Sequence, residues 1–120
     1  MDLEQARAFA AEWAAGWNAH DLDRIMRHFA DGVVFRSPLA ARVVPGSDGV
    51  VRGKEALRAY WAEGLRRNPE LRFEILGVYA GVDAVVINYR HQTGWEVCEV
   101  LAVEDGLVVS GWGAYGPAPA

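Results

Sequence analysis

Glu99 is the residue with the most chemistry to offer. It stands alone in the apolar run Val97-Cys98-Glu99-Val100-Leu101. A carboxyl buried in such surroundings has a raised pKa, which suits a general acid or base. Its structural alternative is an ion pair with Arg90 or a hydrogen bond to Asn88. Arg90 and Asn88 could themselves anchor a ligand carboxylate or carbonyl, or Arg90 could cap a solvated strand end. Ser37, before Pro38, either donates to a ligand or satisfies a nearby backbone group. Trp13, Trp17, Phe29, Trp61 and Tyr115 are core residues first. So many large rings in a small core are also what an aromatic-lined pocket requires.

Other chemistries lack their residues. His20, His28 and His91 fall in a helix corner, on a helix and near a hairpin end, and no H-x-x-x-H or Cys/His cluster is present. No metal is therefore expected, and no glycine-rich phosphate loop follows a strand to suggest a cofactor. Cys98 alternates out of phase with Glu99, on the other face of its strand. As the single cysteine it cannot form an internal disulfide, which fits a reducing cytoplasm. The net charge of −4 and the absence of any basic run beyond Arg66-Arg67 argue against nucleic acid. No apolar run approaches the roughly eighteen residues of a membrane span, and the chain opens on an acidic amphipathic stretch rather than a leader. We expect a cytoplasmic, soluble protein.

The elements that must position these residues follow from periodicity. At 120 residues the chain makes one domain, 1–115, with a frayed tail over 116–120. Asp2 to Ala19 repeats apolar residues at helical spacing, with Asp2 as N-cap and Gln5 completing a capping box. Asp21 caps a second helix, Leu22 to Phe29. Asp31-Gly32 reads as a turn into a strand, Val33 to Ser37, whose alternation puts Val33, Phe35 and Ser37 on one face. Residues 39–51 read as an irregular loop of the kind that forms a lid, a pocket mouth or an oligomer contact. Lys54 to Arg67 is a third helix, ended by Asn68-Pro69. A meander follows: Leu71–Tyr79, Ala84–Gln92, Trp95–Glu104 and Leu107–Tyr115, with Asp105-Gly106 a strong hairpin signal. Gly111 and Gly113 fall on the Tyr115 face of the last strand, leaving room for a ligand or for helix packing.

Taking Thr93-Gly94 as a two-residue turn sets Asn88 opposite Glu99 and Arg90 opposite Val97. Val86, Asn88, Arg90, Trp95, Val97, Glu99 and Leu101 then share one face. Val85, Ile87, Tyr89, Cys98, Val100 and Ala102 share the other, which is equally apolar. Three helices can cover only one face, so the second is expected to be buried in a homodimer.

The stretches WNAHDLDRIMRHFADGVVFRSP and VRGKEALRAYWAEGL, with the element order, resemble SnoaL-like domains of the nuclear transport factor 2-like superfamily. These include polyketide cyclases, ketosteroid isomerases and limonene epoxide hydrolases. The resemblance spans nearly the whole chain and implies an α+β cone: a curved, mixed or antiparallel sheet wrapped around three helices. It also implies an apolar ligand held between sheet and helices. Transferred residue by residue, the ketosteroid isomerase base falls at Ser37, its oxyanion-donating tyrosine at Trp13, and its third polar group, an acid, at Glu99. Only the last keeps its chemistry, so the known isomerase mechanism does not carry over. Arg90 and Glu99 echo part of the epoxide hydrolase Asp–Arg–Asp relay, but neither hairpin strand carries the aspartates. The cyclase aspartate has no counterpart.

Two functions follow as expectations. In one, Trp13, Trp17, Phe29, Ser37, Trp61, Asn88, Arg90 and Tyr115 line a pocket for a small apolar or aromatic molecule. Glu99 then performs acid–base chemistry of the isomerase, cyclase or hydrolase kind. In the other, the rings fill the cone and the sheet surface serves as an interaction module. Cavity volume decides between them.

Overall fold

A computed structural model describes residues Met1–Ala120. Helix α1 (Leu3–Asn18) starts at Asp2, whose side chain accepts from the Gln5 amide while Gln5 reaches back to the Asp2 amide. This reciprocal cap satisfies two donors that a helix end leaves free. The apolar stripe of α1 buries Ala6, Ala10, Trp13 and Trp17. Asp21 caps α2 (Leu22–Met26) by accepting from the Arg24 amide. This helix ends three residues before Phe29, the expected limit, because the sheet captures the chain: the His28 carbonyl accepts from the Val108 amide.

Strand β1 (Phe29–Arg36) therefore begins early, and Asp31-Gly32 lies within it rather than in a turn. Phe29 pairs with Val108 and Val34 with Ser110, so the intervening residues bulge from the ladder with Asp31-Gly32 among them. Ser37 then caps α3 (Pro38–Val43), with Pro38 in the first turn, where its missing N–H costs nothing. The stretch read as an irregular loop thus holds this helix and β2 (Val50–Arg52), which pairs antiparallel with β1. Helix α4 (Lys54–Arg67) has the expected limits.

Four long strands complete the chain: β3 (Phe73–Gly81), β4 (Ala84–His91), β5 (Glu96–Glu104) and β6 (Leu107–Tyr115). They join β1 and β2 in one six-stranded sheet of order β2-β1-β6-β5-β4-β3, parallel only between β1 and β6. The β5–β6 turn places both Asp105 and Gly106 at positive φ, the backbone that a two-residue hairpin favours.

The β4–β5 turn differs from the expectation. Its loop has three residues, Gln92, Thr93 and Gly94, closed by bonds from the His91 amide to the Trp95 carbonyl and from the Gly94 amide to the His91 carbonyl. Only Gly94 has positive φ. A type I′ turn over Thr93-Gly94 would force Thr93, β-branched, into that region as well. The extra loop residue shifts the ladder by one: Ile87 faces Glu99, Asn88 faces Cys98 and Tyr89 faces Val97. A slip of one residue exchanges the faces of one strand relative to the other. Val85, Ile87 and Tyr89 therefore join Val97, Glu99 and Leu101 on the helix-covered side, where all six are buried. Val86, Asn88 and Arg90 join Cys98, Val100 and Ala102 on the outer side.

Helices and the inner face of the sheet enclose the core. Trp13 stacks on Phe73 at 5.5 Å, and Trp61 receives Trp17, Phe29 and Phe35 edge-on at 5.0 to 5.3 Å. The fold is α+β, a curved sheet closed by helices.

Candidate functional site

The aromatic wall does not fill the cone. A cavity of about 350 Å³ remains, lined by twenty residues, thirteen of them hydrophobic. That volume falls at the small end of the range for small-molecule sites, roughly 300–1,000 Å³. Trp13 and Trp17 from α1, Trp61 from α4, Phe35 from β1 and Phe73 from β3 supply its apolar wall.

One part of the wall is polar. Glu99 from β5, Tyr89 from β4, Tyr60 from α4, Ser37 from the junction of β1 and α3 and Tyr115 from the end of β6 all line the cavity. Glu99 is buried, and its only hydrogen bond comes from the Tyr89 hydroxyl, which donates to Oε1 over 3.4 Å. The carboxyl is buried and this bond is long, so the charged form is poorly compensated by the protein. Burial pushes the Glu99 carboxyl up to about 8, only partly offset by Tyr89. The phenols respond likewise. Burial carries Tyr89 well above the usual range and raises Tyr60 and Tyr115, with the Glu99 charge adding to each. At neutral pH this wall presents a protonated acid and three neutral phenols.

Ser37 satisfies a nearby backbone group, the second of its two readings, while also lining the cavity. Its Oγ accepts from the Leu39 amide at 3.2 Å as the α3 cap, and the Tyr60 hydroxyl donates to it over 3.4 Å. The two β6 glycines divide their roles. A Cβ on Gly111 would lie 2.8 Å from Phe35 Cδ1, so Gly111 exists to seat that ring. A Cβ on Gly113 would lie 3.6 Å from Glu99 Oε1, in ordinary contact, so its absence leaves space beside the carboxyl.

Of the residues expected here, Trp13, Trp17, Ser37, Trp61, Glu99 and Tyr115 come together around the cavity. Phe29 does not reach it; it backs the wall by packing on Trp61. Asn88 and Arg90 lie on the opposite side of the sheet, because the three-residue hairpin reverses their face. Asn88 donates to the Val97 carbonyl at 3.2 Å, and Arg90 pairs with Glu74 at 3.1 Å. Neither partners Glu99. Sequence reasoning passed over Tyr60, Tyr89 and Phe73 as site residues. Tyr89 was recoverable from Thr93, whose branching disfavours the shorter turn. Tyr60 sits beside Trp61 in the apolar stripe of α4, where nothing local separates a lining residue from a packed one.

Helices on one face of a curved mixed sheet, closing on one aromatic cavity, make the fold that solved nuclear transport factor 2-like proteins share. A SnoaL-like domain model matches residues 10–111. A SnoaL-like protein of unknown function from Burkholderia thailandensis is 41% identical, covering 97% of this chain and 98% of its own, with a TM-score of 0.92. The chain belongs to the SnoaL-like family. AclR, a putative hydroxylase from Streptomyces galilaeus, shares the fold at 24% identity and TM-score 0.74, covering 96% and 91% of the two chains. So does a putative ketosteroid isomerase from Kribbella flavida, at 18% identity and TM-score 0.68, covering 98% and 82%. No curated protein matches the chain. No helix is long and apolar enough to cross a membrane.

Proposed function

We propose that the protein binds a small, mostly apolar or aromatic molecule in the cone and that Glu99 performs acid–base chemistry on it. One observation carries this reading: a lone carboxyl, raised to about 8, stands on the wall of a largely aromatic cavity of about 350 Å³. An acid with a pKa near the working pH exchanges protons most effectively. Protonated Glu99 would donate to a ligand carbonyl or leaving oxygen. Its ionised fraction would take a proton from carbon or from water and return it at a neighbouring position. Isomerisation, cyclisation and hydration all need that exchange. Ser37, where a β1 base would stand, is neutral, so one group must act in both directions.

The apolar outer face of the sheet supports a second part of the reading, a homodimer. Tyr79 is 58% exposed and Trp112 39% exposed there, beside Val86, Val100 and Ala102. The lone Cys98 supports a reducing cytoplasm as the place of action.

A thermal-shift screen of ketones, epoxides, aromatic acids and polyketide-like rings, followed by tryptophan fluorescence, tests the first part. A bound compound should raise the melting temperature and perturb Trp13, Trp17 or Trp61. Glu99→Gln should keep the fold and lower turnover of that compound by about 100-fold or more. Undiminished affinity and turnover in the variant would remove Glu99 from the mechanism.

A further inference from the structure

The charge distribution along the cavity is one-sided. Arg67 and Glu99 are the only lining residues with formally ionised side chains, and Glu99 is protonated at neutral pH. Arg67 lies at the other, open end, which the last turn of α4 and the β4–β5 hairpin form with exposed Arg67 and Thr93. Glu63 accepts from Arg67 Nε at 2.8 Å but also holds Arg66 through two bonds. Two guanidiniums share one carboxylate, and both terminal nitrogens of Arg67 lack a protein partner. The helix end opposes this charge only weakly: the Gly64 carbonyl is already taken by the Asn68 backbone and side-chain amides.

His91 adds a donor at the same end. The Thr93 amide donates to His91 Nδ1 at 3.3 Å, and the Thr93 hydroxyl lies 2.9 Å from the same nitrogen. With Nδ1 accepting, the neutral ring carries its proton on Nε2, which has no protein acceptor. Trp95 completes this end, its indole N–H held by the Gly116 carbonyl at 2.7 Å and its ring edge-on to Tyr115. The mouth thus offers guanidinium and imidazole donors beside a fixed aromatic wall; the one carboxylate bonded there, Glu63, holds Arg67 through Nε and does not line the cavity.

We propose that the ligand is an amphiphile: a ring body with a carbonyl or hydroxyl directed at Glu99 and an anionic group, such as a carboxylate, held at the mouth by Arg67 and His91 Nε2. This rests on the binding reading above and specifies its ligand. A planar carboxylate matches the guanidinium fork. The same mouth disfavours an amine.

Calorimetric titration with three matched probes tests the polarity: 6-hydroxy-2-naphthoate, its methyl ester and 6-(aminomethyl)-2-naphthol. The carboxylate should bind the wild type about tenfold more tightly than the ester, as expected for one charge-assisted contact, and the amine most weakly. Arg67→Gln lies on an exposed helix end and should leave the melting temperature unchanged while erasing the carboxylate's advantage and sparing the ester. Equal binding of acid and ester, or equal losses for both in Arg67→Gln, would overturn the anionic end and leave the cone reading intact. Failure of all three probes to bind at millimolar concentration would overturn both.

Discussion

Glu99 destabilises the fold that holds it. In the unfolded chain its carboxyl titrates near 4.5; in the folded protein burial raises this to about 8. Between those values the folded state holds a proton that the unfolded chain has released. Stability contributed by this group is therefore greatest below pH 4.5, falls as pH rises through the window, and levels off above about 8. At about 1.4 kcal/mol per pKa unit, the window is worth a few kcal/mol. Glu99→Gln keeps the shape and removes the titration, so the decline between pH 5 and 8 should flatten and the variant should match or exceed wild type at pH 8. Urea melts at the two pH values decide it. An equal decline in both proteins would mean that Glu99 is solvated. His28 and His91 are shifted down by burial, but they are common to both proteins and cancel in the comparison.

At the scale of elements, the site depends on how α1 is fastened to the sheet. Asn18, the last residue of α1, donates Nδ2 to the Phe73 carbonyl at 3.0 Å and accepts from the Phe73 amide at 2.7 Å. One side-chain amide thus occupies a free edge of β3 as a neighbouring strand would, and His20 Nε2 contacts the Leu71 carbonyl beside it at 2.9 Å. Both contacts hold Trp13 and Trp17 against Phe73. Asn18→Ala leaves two half-buried backbone groups unpaired and should cost about 1–3 kcal/mol. The Phe73 amide should also exchange faster with solvent. An unchanged urea midpoint would show that the aromatic stack alone holds the edge. The caps at Asp2 and Asp21 were readable from sequence because donor and acceptor lie within three residues. The Asn18–Phe73 pair spans fifty-five, and no local pattern announces it.

For the whole molecule, the outer sheet face is the open surface. The corrected register exchanges Val85, Ile87 and Tyr89 for Val86, Asn88 and Arg90 there, yet Val86, Val100, Ala102, Trp112 and Tyr79 keep it apolar. Arg36 closes one side by stacking over Trp112 at 4.6 Å and bonding Ser110 at 2.9 Å. If a second copy covers this face, the wild type should sediment as a dimer at micromolar concentration, and Val100→Asp should yield monomer or aggregate. A monodisperse wild-type monomer would remove the interface. Outside residues 38–52, where the short α3 and β2 went unread, the element order was legible because periodicity and capping are local. The sequence also singled out Glu99 as the buried acid, since a lone carboxyl in an apolar strand has few other places to go. Tertiary structure decided which residues meet it. A sheet has a period of two, so one additional loop residue at Gln92 moved Asn88 and Arg90 away from Glu99 and brought Tyr89 to it. That choice depended on the backbone available to Thr93 and on the pairing of whole strands, which composition and alternation do not specify.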